Sequence, residues 1–137
     1  MELVRVFFYG SFMNLDVLKS LGVRPAALIV AWLEHWDITL APLATLVPSE
    51  KDRVFGILAE LSRTDVEHLY SRDELKSYKS LEVSVETKDG KIPALCFISK
   101  PVSGSKPSAE YVNKIVDAAE ALPLPQDYTD KLRRFLE

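Results

Sequence analysis

The stretch Val6-Phe7-Phe8-Tyr9-Gly10-Ser11-Phe12 constrains this chain more than any other. Five of its seven residues are apolar or aromatic, which suits a buried strand, and the run then stops on Tyr-Gly-Ser. Gly10 tolerates backbone conformations that a Cβ would resist and lets another group approach the main chain. Just beyond, Asn14 can cap a short helix from Leu15 to Leu21, with Gly22 at its natural stop. A strand feeding a glycine turn and then a helix start gathers several unpaired N–H groups in one place, an arrangement that favours an anion such as a carboxylate. An ordinary strand-to-helix turn would use the same residues, so these alone leave both readings open.

Composition narrows the classes. A chain of 137 residues, 47% hydrophobic and 27% charged, fits one globular domain with a sizeable core. The net charge of -3, with no dense run of Lys and Arg, argues against a nucleic-acid surface. Met1-Glu2 leads straight into the first strand without a basic stretch, so no signal peptide is expected. The longest apolar run, Pro25 to Leu33, is too short to span a bilayer. Cys96 is the single cysteine, which forbids an internal disulfide and makes a cytoplasmic location the default. It lies in a strand-like run, where a buried, inert thiol is the expectation.

Read in order, Leu3 to Tyr9 is a strand and Leu15 to Leu21 a helix. Ala26 to Leu40 is two strands or one long bent strand, with His35 in its second half, read as a satisfied histidine on a half-buried strand rather than a ligand or base. Ala41 to Pro48 is loop or short strand, and Pro48 to Asp52 is a polar turn. Arg53 to Leu61 alternates as another strand. A helix capped by Thr64 carries Val66, Leu69 and Tyr70, its stripe ending near Asp73 and Glu74. Tyr78 to Thr87 and Ile92 to Ser99 form a hairpin around Asp89-Gly90. Ser108 caps a helix with Tyr111, Ile115, Ala119 and Leu122 at helical spacing, and Pro125 opens a last helix carrying Tyr128, Leu132 and Phe135. The expected fold is α+β: a single domain over residues 1–137 built on a mixed, curved or barrel-like β-sheet with flanking helices. Phe7, Trp32 and Trp36 leave room for an apolar interface between subunits.

The order of these pieces resembles the gamma-glutamylcyclotransferase superfamily, which includes gamma-glutamylamine cyclotransferases and plant AIG2-like proteins. Tyr9-Gly10-Ser11 is similar to that family's signature at the end of its first strand. Val54-Phe55-Gly56-Ile57-Leu58 is similar to its Val-x-Gly-x-Leu strand. Leu69 to Glu74 followed by Tyr78 falls where the family carries Leu-Asp-x-x-Glu and then a tyrosine. Tyr111-Val112-x-x-Ile115, Ala119, Leu124-Pro125 and Tyr128 to Leu132 resemble its C-terminal helices.

The resemblance implies an intramolecular aminolysis. The α-amino group of a gamma-glutamyl unit attacks its own side-chain carbonyl, releasing 5-oxoproline and an amine or amino acid. Nucleophile and electrophile share one molecule, so positioning supplies most of the catalysis and no metal or cofactor is implied. The resemblance makes Glu74 the catalytic carboxylate that moves the proton, and Tyr9, Gly10, Ser11, Phe12 and Tyr78 the substrate-binding residues, Tyr78 through a phenol bonded to substrate or carboxylate. Such a base must sit in a partly desolvated site. Tyr70 stands where the family has Asp, Leu75 follows where it has Gly, and the spacing admits Asp73 as well as Glu74. Phe97 lies where the family often has a tyrosine. A catalytically inactive small-molecule binding module of the same fold is the alternative. A hydrolase with Ser11 as nucleophile would need His35 or His68 as base and lacks the G-x-S-x-G context.

Overall fold

Two antiparallel ribbons and one short strand build the sheet. In the computed structural model, which describes residues 2–137, the strands are β1 (Leu3–Phe8), β2 (Ala27–Leu40), β3 (Ala44–Ser62), β4 (Lys79–Thr87) and β5 (Gly90–Ile98). The helices are α1 (Leu15–Ser20), α2 (Arg63–Leu69), α3 (Ala109–Ala121) and α4 (Gln126–Arg133). Met1, at the head of the expected leaderless start, lies outside the described residues.

The strand order β1-β3-β2-β4-β5 closes on itself as a barrel. Four pairings are antiparallel, while β1 meets β5 in parallel through Val6 and Leu95 alone. The sheet is therefore mixed and curved, with helices flanking it, as the residue pattern predicts. Val6, Phe7 and Phe8 are buried on both faces of β1. Each such side chain contributes about 1.5–3 kcal/mol relative to exposure. Phe7 is shut inside, so it offers nothing to a subunit interface; Trp32 and Trp36 are part-buried.

Local chemistry explains where elements begin. Asn14 Oδ1 accepts from the Asp16 N–H at 3.0 Å and starts α1. Ser108 Oγ accepts from Tyr111 N–H at 3.1 Å and starts α3, and Pro125 precedes α4. Asp89 and Gly90 turn β4 into β5, Gly90 at φ +115° where a side chain would be strained.

The middle of the chain keeps one expectation and departs from others. Ala27 to Leu40 is the one long bent strand, its bend lying where the pairing slips between Glu34↔Arg53 and Trp36↔Pro48. His35 sits at that slip with φ +71° and is itself exposed, on a strand that is half-buried. The polar residues 49–52 do not end a strand; they bulge opposite His35 while β3 runs through them. Their turn-forming chemistry appears as Ser49 Oγ donating to Asp52 at 2.6 Å. The cap of α2 is Ser62, whose Oγ accepts from Asp65 N–H at 3.1 Å, in place of Thr64. That helix stops at Leu69, so Asp73–Leu75 forms a separate 3-10 turn instead of the helix end. In β4, Leu81 stays 37% exposed and only the strand's far half is buried.

Among the described residues no helix is long and apolar enough to cross a membrane.

Candidate functional site

Where β1 ends, the chain turns through Tyr9–Phe12 against the start of β3, and a cavity of about 240 Å³ opens beside that turn. Its walls come from Tyr9–Phe12, from Leu43 and Ala44, from Tyr70, Arg72, Glu74, Leu75 and Tyr78 after α2, and from Tyr111 and Lys114 of α3. Packing explains the glycines. A Cβ on Gly10 would lie 2.9 Å from the Ala44 Cβ, and one on Gly56 only 2.1 Å from the Phe8 carbonyl oxygen. Gly10 has φ -109°, so closeness rather than a left-handed backbone requires it. Gly56 lets β3 press against the end of β1, which fixes the origin of the turn.

Ser11–Met13 forms a 3-10 turn in which the carbonyls of Gly10 and Ser11 accept from Met13 and Asn14 N–H at 3.1 and 3.0 Å. The N–H groups of Gly10, Ser11 and Phe12 enter none of the turn and loop hydrogen bonds among the described residues. Such a first turn leaves its donors for a ligand or water. Asn14 Nδ2 also donates to the Lys114 carbonyl at 2.9 Å, tying the turn to α3.

Phenols surround the cavity. Tyr9 donates to the Phe97 carbonyl at 2.5 Å. Tyr78 donates to the Ala44 carbonyl, and Tyr111 accepts from the Ala44 N–H at 2.9 Å, so two tyrosines clamp one residue from both sides of its backbone. Burial raises the pKa of Tyr9, Tyr78 and Tyr111 above the ordinary phenol value, which keeps all three neutral. Tyr78, expected to bond substrate or carboxylate, has its proton engaged by Ala44 and retains only acceptor capacity toward the cavity. The Tyr70 ring stacks on Phe97 at 4.0 Å and 16° and meets Phe12 edge-on at 5.4 Å. Phe12 is 7% exposed, and Arg72 lies 6.0 Å above its ring.

The two adjacent acids point apart. Glu74 lines the cavity, with Arg72 Nη1 3.6 Å from its carboxylate. The Asp73 side chain is 92% exposed, is held by Lys76 at 2.9 Å, and does not line the cavity. The partly desolvated setting expected for a base is not found, since the Glu74 side chain is 59% exposed. A second hollow of about 200 Å³, which includes Ser77, Ser99, Lys100 and Val102, shares Leu43, Glu74 and Tyr78 with the first. Glu74 therefore stands between two adjoining hollows.

Neither histidine reaches this place. His35 is on the bulge, and His68 is exposed with its ring 3.1 Å from the Leu21 carbonyl. A Ser11 nucleophile would lack its base. Cys96 is fully buried, and burial pushes its thiol up to about 12, so it is inert. Among the described residues no cluster of His, Cys, Asp and Glu could hold a metal ion.

The structure thus brings Tyr9, Gly10, Ser11, Phe12, Glu74 and Tyr78 to one cavity. The residue pattern missed Arg72, Lys114, Ala44 and the orientation of Tyr70. Tyr70 and Tyr111 were visible in helical stripes and in the resemblance, but not as cavity residues. The arrangement can seat a small ligand rich in oxygen, offering it backbone donors, two cations and one carboxylate.

Known proteins agree with this architecture. The profile of the AIG2-like family matches residues 53–132, more than half of the chain. The chain is 29% identical to a gamma-glutamylcyclotransferase of Mus musculus over 103 residues, 73% of this chain and 53% of that protein. For a Homo sapiens protein of the same name the identity is 29% over 94 residues, covering 66% and 50%. The chain thus spans about half the length of the curated relatives it matches. Among solved structures, one titled gamma-glutamyl cyclotransferase superposes with a TM-score of 0.81 at 23% identity, covering 96% of this chain and 87% of its own. An uncharacterized Homo sapiens protein superposes with a TM-score of 0.84 at 24% identity, covering 97% and 88%. At these identities the two structures establish the shared fold.

Proposed function

Because the chain belongs to the AIG2-like family, we propose that it is a gamma-glutamyl cyclotransferase, converting a small gamma-glutamyl compound into 5-oxoproline and a free amine or amino acid. One observation carries this reading. Among the described residues bordering the cavity, Glu74 is the sole carboxylate, and the Tyr9–Phe12 turn with its free N–H groups forms another wall of the same cavity.

The α-carboxylate of the substrate takes donors from the turn, with Arg72 and Lys114 adding positive charge at the rim. Folded this way, the α-amino group faces its own γ-carbonyl. Glu74 accepts the proton that leaves the attacking nitrogen. A new C–N bond forms, negative charge develops on the carbonyl oxygen, and donors nearby stabilise it. As the old C–N bond breaks, Glu74 returns the proton to the departing nitrogen. The atoms balance without water, metal or cofactor. Tyr78, its proton engaged by Ala44, accepts from the substrate's N–H. The second hollow beyond Glu74 receives the departing group. The net charge of -3 gives nucleic acid no place in this reading, which sets the protein in the cytoplasm acting on small molecules.

A panel of gamma-glutamyl amino acids, gamma-glutamylamines and gamma-glutamyl-ε-lysine, assayed for 5-oxoproline, tests the proposal; release from none of them defeats it. A second reading, a binding module without turnover, draws on the openness of Glu74 and its proximity to Arg72. Titration calorimetry that finds binding where the panel finds no product selects it.

A further inference from the structure

We propose that Tyr70 contacts the substrate, donating its hydroxyl hydrogen to an oxygen of the bound gamma-glutamyl compound. The inference rests on the proposed function and goes beyond it. Four phenols approach the cavity. Tyr9 and Tyr78 spend their protons on the Phe97 and Ala44 carbonyls, while Tyr111 is anchored through its oxygen by the Ala44 N–H and keeps its own proton. Tyr70 also lines the cavity, and its hydroxyl makes no hydrogen bond among the described residues. Its ring is fixed from two sides, by the stack on Phe97 and the edge contact with Phe12. The hydroxyl is therefore held in place without a partner of its own.

That combination is costly unless a ligand or water completes it, because a phenol with its ring packed still seeks a hydrogen-bond partner. Tyr128 marks the contrast: its hydroxyl is buried in the core without a partner among the described residues. Tyr70 faces an open volume, next to the phenols of Tyr78 and Tyr111. Burial keeps the Tyr70 phenol protonated far above neutral pH, so it serves as a donor and not as a base. Its complement is an acceptor, which a gamma-glutamyl compound supplies in its carboxylate and carbonyl oxygens.

Tyr70→Phe keeps the ring and removes only the hydroxyl, so it separates contact from packing. With gamma-glutamylalanine as probe, kcat/KM is expected to fall roughly tenfold or more. The melting temperature of the free protein should stay within about one degree, because no intramolecular bond is lost. Tyr78→Phe, which leaves the Ala44 carbonyl unpaired, should instead lower the melting temperature. An unchanged kcat/KM in Tyr70→Phe, or a melting temperature that falls as far as in Tyr78→Phe, overturns the proposal. If the unaltered protein releases no 5-oxoproline, the cyclotransferase reading fails first, and thermal shift with gamma-glutamylalanine and with 5-oxoproline decides this one. A stabilisation present in the unaltered protein and absent in Tyr70→Phe upholds the contact. Equal shifts in both, or none in either, defeat it.

Discussion

The bulge between β2 and β3 and the cavity beside the Tyr9–Phe12 turn both gather polar groups against a constrained backbone, and they use them differently. At the bulge, Ser49 donates to Asp52, and Lys131 pairs with Asp37 and, at 3.6 Å, with Asp52. The charges there are answered within the chain, and the local distortion, His35 at φ +71°, is held by that network and by the two strands. At the cavity, the Tyr70 hydroxyl and the Gly10, Ser11 and Phe12 N–H groups have no answer among the described residues, and Glu74 lies only loosely against Arg72. Polar groups matched to one another fix shape, whereas polar groups held rigid but unmatched are available to a ligand.

Removing one group from each place tests that division. Glu74→Gln keeps shape and takes away the titrating group. Turnover should drop roughly a hundredfold or more, with the melting temperature unmoved, while Asp73→Asn stays near the unaltered rate. The reverse order would transfer the role to Asp73 and break the contrast at its main point. Lys131→Met should do the opposite of Glu74→Gln. It strands Asp37 and Asp52 side by side, lowers the melting temperature by about 4 °C, and leaves 5-oxoproline release intact. A loss of activity at unchanged stability would show that the bulge communicates with the cavity.

The smallest effect sharpens the comparison through pH. The hydrogen bond from the Ser49 hydroxyl, aided by Lys131, holds the Asp52 carboxyl below its usual value. A depressed carboxyl binds its proton less readily folded than unfolded. Its contribution is therefore complete above the ordinary aspartate range and is lost as pH falls through that range toward the folded value. Ser49→Ala should shrink the drop in melting temperature between about pH 6 and pH 3. An acid limb as steep as before would remove Ser49 from the network.

Some of this was legible in the residues because it is local. Asp89-Gly90 declares its hairpin, Ser108 and Asn14 declare their helix starts, and Tyr9-Gly10-Ser11 declares a strand that ends on a turn. The continuity of β3 was not legible. Pro48–Asp52 has turn chemistry, and only the pairing with β2 on both sides keeps those residues in the strand. The clamp on Ala44 joins tyrosines 34 and 67 residues away, beyond any local pattern. Asp73 and Glu74 are neighbours of like charge, and the 3-10 turn sends one outward and one to the cavity. Tyr70 reads as an apolar position of a helical stripe, although α2 stops at Leu69, so its hydroxyl carries no signal in the sequence; the stack on Phe97 places it.

The single parallel contact that shuts the barrel, Val6 against Leu95, has a consequence in time. The two ribbons, β2 with β3 and β4 with β5, join neighbours in the chain and can zip early, whereas β1 must find partners far along it on either side. Insertion of β1 is then the late event of folding, and the Tyr9–Phe12 turn arrives with it. A population that has formed both ribbons but not this closure would own most of the sheet and no cavity. Val6→Ala should accordingly quicken unfolding and leave refolding nearly untouched, read from the two arms of a denaturant chevron. A slowed refolding arm would put β1 in the nucleus instead, and make the cavity among the first things this chain builds.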